Sequence, residues 1–234
     1  MQCTAAMRLL TICTLALVSI ATSACTDVGE GEPMESGEAP ITEARKLYYA
    51  TTIRDVAAQR GLTNGALLAG IALSETGMTH CWSEATWACK GPASPTCDGG
   101  PVIAGAGDGP CRLKQGGLGM FQFDGGTFDQ TLRRDGTAIL TIEGNVDRAV
   151  DFVVDKVIQD IPGISTSAEA LAWMNSIAMD TSTTRMQQWG SLMACRYNGC
   201  CNSSATCRTR RAGYMNNAVK AYKGAGAAFW NTSR

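Results

Sequence analysis

Residues 69–77 read "AGIALSETG", a run of small and apolar residues that ends in a carboxylate, Glu75, followed by Thr76 and Gly77. Counting back from Glu75 by fours gives Ile71 and Leu67, with Leu68 and Ala72 flanking the same stripe. Side chains four apart stack on one helical face, so the pattern predicts a helix from about Asn64 to Thr76, stopped by Gly77. Its apolar stripe carries Glu75 at the end. A charge on an inward face is costly unless it is paired or protonated. The plainer alternative is a helix-end glutamate that swings out to solvent, and the rest of the chain has to decide between them.

Before Asp27 the only charge is Arg8, and Leu9 to Ala21 is an apolar run of about a dozen residues, too short to span a bilayer. With the small residues "ATSAC" behind it, residues 1–24 read as a bacterial export signal. Cleavage falls either after an Ala-x-Ala-like site or just before Cys25, whose sulfur would then carry lipid. Thr22 stands where the lipoprotein pattern prefers Leu, Val or Ile. Residues 25–40 form the next segment; their stretch "TDVGEGEPMESGEAP" (26–40) holds five acids, no base, three glycines and two prolines, the composition of a flexible tether. Residues 41–234 are long enough for one domain with a real core. Without signal and tether, 19 bases face 16 acids, a net charge of +3 suited to a weakly anionic polymer. No basic run points to nucleic acid.

Of the 11 cysteines, Cys3 and Cys13 leave with the signal. If Cys25 is lipidated, an even set of eight remains: Cys81, Cys89, Cys97, Cys111, Cys195, Cys200, Cys201 and Cys207. In an exported protein that set predicts four disulfides, in one of about 105 pairings. Parity therefore favours the lipid anchor and a place in the periplasm or on the cell surface. A zinc site competes poorly, because the spacings are irregular and His80 is the only histidine.

Helical patterns dominate the domain. Thr42 caps a helix from Glu43 to about Arg60. Residues 145–159 place Val146, Val150, Val153, Val154 and Val157 on one stripe. Thr166 and Glu169 make a capping box before "ALAWMNSIAM" (170–179), and further helices are expected at about 182–196 and 209–223. Residues 78–117 break the pattern with eight glycines, four prolines and four cysteines, an irregular insert that disulfides would staple and that has room for a small β-hairpin. The expected class is α+β, mostly helical, with a disulfide-rich insert directly after Glu75.

Three further stretches line up behind "AGIALSETG": "GMFQFDGGTF" (119–128), "ACRYNGC" (194–200) and "RRAGYMNNAVKAY" (210–222). In this order they resemble the lysozyme-like transglycosylase superfamily, the soluble lytic transglycosylase and goose-type lysozyme branch above all. Its members show a Glu-Ser pair ending a helix, then Gly-Leu-Met-Gln, then Ala-Tyr-Asn-Ala-Gly, then a tyrosine on the last helix. The resemblance implies a lysozyme-like fold, with Glu75 as catalytic acid and Thr76 in place of the serine. It implies a sugar-contacting amide at Gln122 and a water-positioning aspartate at Asp124, with Asp108 the other candidate for that aspartate. Tyr197 and Asn198 fall on the Tyr-Asn pair and Tyr214 on the tyrosine of the last helix, all on the substrate side. No cofactor or metal is implied.

Glycoside cleavage needs a protonated acid near neutral pH, and an apolar helix end raises a glutamate's pKa, which is what the reading of Glu75 supplies. For the others a structural role competes: Asp124 as the cap of a helix starting near Gly125, Asp108 as a turn residue, and the two tyrosines as core aromatics. The expected function is cleavage of the β-1,4 bond between N-acetylmuramic acid and N-acetylglucosamine in peptidoglycan strands, by hydrolysis or lytic transglycosylation. The alternatives are a non-catalytic wall-binding protein with a retained cleft, which a broken acid would mark, and a cysteine peptidase, which needs a thiolate beside His80.

Overall fold

Thr42 does what its residue type and place predict: its hydroxyl accepts from the Arg45 N–H and opens α1 (Glu43–Gln59). In the computed structural model, residues 42–81, 117–126 and 128–231 are described, Phe128 without its side chain. The export signal, the tether with Cys25, and Asp108, Cys89, Cys97 and Cys111 lie outside the described residues.

The helices that follow are α2 (Ala66–Thr76), α3 (Phe128–Asp135), α4 (Ile142–Asp160), α5 (Ser167–Asn175), α6 (Thr184–Asn198), α7 (Ala205–Ala225) and α8 (Ala227–Trp230), with a 3-10 turn at Thr137–Leu140. Several boundaries depart from the sequence expectation for local reasons. α2 starts at Ala66 rather than Asn64, because the Asn64 amide is spent on Met174 O and Ile177 O and pins the loop instead of the helix. α4 starts at Ile142, since Thr141 Oγ1 accepts from Gly144 N and caps it ahead of the valine stripe. The Thr166–Glu169 capping box is present, but α5 ends at Asn175, whose amide turns to Gly61 O. α7 starts four residues early, capped by Ser204 on Cys207 N.

The described chain is thus mostly helical. Its one β feature is an isolated antiparallel bridge between Leu118 and Phe123, and no strand is present among the described residues. The α+β expectation is reduced to its helical part, because residues 82–116 of the insert expected to carry a hairpin fall outside them. No helix of the described residues is long and apolar enough to cross a membrane.

The opening stretch forms the centre. Ala66 to Ala72 are all buried, and α2 packs chiefly against α7 while α6 also lies on α7 and α1 on α4. The approach of α2 to α7 depends on Gly70: a Cβ there would lie 2.6 Å from both the Cα and the backbone N of Ala218. Backbone cannot yield as a flexible side chain can. Gly70→Ala is expected to lose about 1–3 kcal/mol through overpacking, outweighing the roughly 1 kcal/mol that alanine gains in helix propensity. Urea unfolding of wild type and variant checks this, and an equal or higher midpoint would contradict it.

Candidate active site

Gly77 ends α2 in the left-handed conformation (φ 64°), its N–H bonded to Leu73 O, as the C-terminal signal predicted. Glu75 therefore sits in the last turn of a helix whose preceding residues are core. It keeps part of its surface open to solvent, yet burial raises its carboxyl above the ordinary glutamate range. Two effects oppose that shift more weakly: a hydrogen bond from Tyr214 and the positive charge of Arg210.

Those partners form a chain. The Tyr214 hydroxyl donates to Glu75 Oε1 and accepts from Asn198 Nδ2. Asn198 Oδ1 in turn accepts from Arg210 Nη1 at 2.5 Å. Arginine only donates, so it fixes which end of the Asn198 amide faces Tyr214 and leaves the tyrosine proton for Glu75. Sequence spacing accounts for half of this, because Arg210 and Tyr214 lie four apart on α7 and share a face. The other half is the end of α6, where Asn198 is the last helical residue.

Tyr197 completes the group. Its ring lies 6.1 Å from that of Tyr214 and meets Phe152 edge-on at 4.9 Å. Its hydroxyl is buried and makes no hydrogen bond among the described residues. Burial, and after it the Glu75 charge, holds the Tyr197 phenol well above its usual range; Arg148 pulls the other way and Asp135 adds to the rise. The Tyr214 phenol is raised too, first by burial and then by the Glu75 charge. Both tyrosines stay protonated donors throughout the neutral range.

A loop from Gly117 to Phe123 is held against the end of α2. The Thr76 hydroxyl is shared between Ala72 O and Met120 O, at 3.1 and 3.2 Å. From the other side Asn145, fully buried at the start of α4, donates to Leu118 O (3.1 Å) and Ile139 O (2.9 Å) and accepts from Phe121 N (3.2 Å). One side chain thus satisfies three backbone groups. Gly119 has φ 74°, and a Cβ there would strike the Asn145 amide at 2.2 Å, so only glycine fits. Sequence reading missed Asn145; the signal was an amide beside an otherwise apolar stripe. It also missed the buried Asp135 carboxylate, which pairs with Arg134 and Arg148 while Arg134 reaches Asp124 O.

Of the expected site residues, Glu75, Tyr197, Asn198 and Tyr214 are brought together. Gln122 adopts φ 50°, and its Nε2 donates back to Gly119 O at 2.7 Å, so that part of the amide braces its own loop. Asp124 Oδ1 accepts from Gly126 N at 2.8 Å, an Asx turn. It does not cap a helix at Gly125, because α3 begins only at Phe128. Its recorded hydrogen bonds connect it to Gly126 and Arg134, not to the Glu75 group. Asp108 lies outside the described residues. His80 is buried with Nε2 3.4 Å from Leu140 O, and Cys81 is disulfide-bonded, which removes the thiolate a cysteine peptidase would need. Comparison of the chain with protein-family models, curated proteins and solved structures returns no match.

Proposed function

We propose that this chain is a peptidoglycan-cleaving muramidase of lysozyme-like fold, exported and anchored through lipid on Cys25. The observation that carries the reading is the Glu75 carboxyl at the buried end of α2, raised in pKa and bonded on one oxygen by Tyr214. Burial favours the protonated form of this acid more than that of an exposed glutamate, and Glu75 Oε2 delivers that proton to the departing glycosidic oxygen as the C1–O bond breaks. The Tyr214 hydroxyl then steadies the negative charge left on the carboxylate. The Tyr197 ring, its hydroxyl buried, backs the Tyr214 ring from behind at 6.1 Å. The anomeric carbon is taken either by water, whose proton Asp124 accepts, giving a hydrolysed end, or by the substrate's own hydroxyl, whose proton returns to the Glu75 carboxylate, giving an anhydro end.

Digestion of purified peptidoglycan tests the reading, with product masses resolving the two outcomes by one water. Release of disaccharide-peptides is expected. Binding of the sacculus without release would instead mark a non-catalytic wall-binding protein.

Asp124 separates the two routes. Its Oδ1 is committed to the turn, and its Oδ2, which accepts no hydrogen bond among the described residues, is the oxygen that would orient a water. In Asp124→Asn the turn persists, because an amide oxygen still accepts from Gly126, so stability should move by less than about 0.5 kcal/mol. Hydrolysed ends should fall by about 10²–10⁴-fold while the anhydro share grows, as expected on losing a general base. An unchanged ratio at near-normal rate assigns Asp124 to the turn alone.

A further inference from the structure

After Asp180 the chain carries no acidic residue and eight basic ones. Three of these, Arg208, Arg210 and Arg211, fall in the first two turns of α7 around the neutral segment 198–204. Their recorded acceptors are all uncharged: Ser203 O for Arg208, Asn198 Oδ1 for Arg210 and Asn202 O for Arg211. Arg211 Nε is buried with no hydrogen-bond partner among the described residues. No described carboxylate comes within ion-pair distance of any of the three. Arg54, Arg60, Arg148 and Arg196, by contrast, each hold an aspartate, while Arg185 donates singly to the Ser176 hydroxyl.

Such a cluster costs stability where it stands. Three guanidiniums within four residues repel one another, and cations near a helix N-terminus oppose the helix dipole. The Cys200–Cys207 bridge holds this end of α7 in place regardless. Each guanidinium has five N–H donors, most of which find no acceptor among the described residues, and the fork geometry matches a carboxylate. The cluster reaches the acid through Arg210, which is two hydrogen-bonded side chains, Asn198 and Tyr214, away from Glu75.

We infer that Arg208, Arg210 and Arg211 form an anion-recognition edge of the cleft, which engages carboxylates carried by the peptide side chains of the glycan strand beside the bond to be cleaved. This inference rests on the glycan-cleaving function proposed above. It adds a selectivity: strands whose peptides bear free carboxylates are favoured over the same strands with those groups neutralised.

The test uses the full chain carrying Glu75→Gln, so that ligand survives the measurement. Its affinity is measured for solubilised peptidoglycan fragments with free carboxyls, and for the same fragments amidated with carbodiimide and ammonia. Free fragments should bind about tenfold more tightly at low salt, a preference that two or three exposed charge-assisted contacts supply and that salt screens away. Adding Arg208→Gln and Arg211→Gln should remove most of that preference. Equal affinity of the Glu75→Gln protein for both preparations overturns the inference without any arginine substitution, so misfolding of the arginine variant cannot shelter it. A preference that survives both arginine changes overturns it as well. Failure of the wild type to release disaccharide-peptides counts against the proposed activity, whereas the binding preference decides the anion edge on its own.

Discussion

Glu75→Gln is expected to lower peptidoglycan lysis by about 10²–10⁴-fold while leaving the fold intact, the range ascribed to a positioned general acid. The amide is nearly isosteric, and its oxygen still accepts from the Tyr214 hydroxyl that now bonds Glu75 Oε1. What it lacks is the proton. Release of disaccharide-peptides at constant protein concentration reads the effect, with circular dichroism as the check on fold. Retention of most activity would remove Glu75 from the chemistry and leave the wall-binding alternative standing.

The same variant has a pH signature. Burial raises the Glu75 carboxyl in the folded chain above its ordinary value of 4.5. A group raised in this way stabilises the fold below its unfolded pKa, and that contribution is lost as pH climbs through the folded value. Wild type should therefore match the glutamine variant near pH 4 and fall behind it as pH rises toward neutrality. Thermal unfolding at a series of pH values measures the gap. A gap that narrows with rising pH would mean the carboxyl is stabilised as an anion, the opposite of what a proton donor needs.

How far the sequence reached is visible in particular residues. Thr42, Gly77, and the Thr166–Glu169 box were legible because caps are local chemistry, written within four residues of the group they satisfy. The Leu67–Ile71–Glu75 stripe was legible for the same reason. Gly70 was not: its role lies in the backbone of Ala218, far along the chain, and no pattern within α2 announces it. Asn145 stayed hidden likewise, because its three partners come from two other segments. Asn64 shows the reverse failure, where a residue type suited to opening a helix is taken by tertiary contacts. The relay to Glu75 falls between these cases. Its four members were in quoted motifs, but the order Arg210, Asn198, Tyr214, Glu75 comes only from packing α2 and α6 on α7.

That packing is sewn by two interleaved disulfides, and removing one should have the largest effect on stability. Cys195–Cys201 and Cys200–Cys207 run from the last turn of α6 across the 198–204 turn into the first turn of α7. Cys200 and Cys207 are buried and belong to the core, whereas Cys201 is exposed. Closing a loop of this size restricts the unfolded chain by about 2–3 kcal/mol, and replacing the buried pair adds a packing loss of similar sign. Cys200→Ala with Cys207→Ala is therefore expected to lower stability by about 3–4 kcal/mol, more than Cys195→Ser with Cys201→Ser. Activity of the Cys195–Cys201 variant should fall beyond what unfolding explains, because Asn198 sits inside that loop and orients Tyr214 toward Glu75. Urea unfolding of both double variants, with kcat measured well below each midpoint, separates the two effects. Alkylation without reductant provides the control: Cys81, Cys195, Cys200, Cys201 and Cys207 should all resist labelling in the wild type, since each is disulfide-bonded. If the Cys200–Cys207 variant unfolds at the wild-type urea concentration, that bridge does not stabilise the helix pair; if the Cys195–Cys201 variant keeps its kcat, the clip does not position the relay and Asn198 must be held by α6 alone.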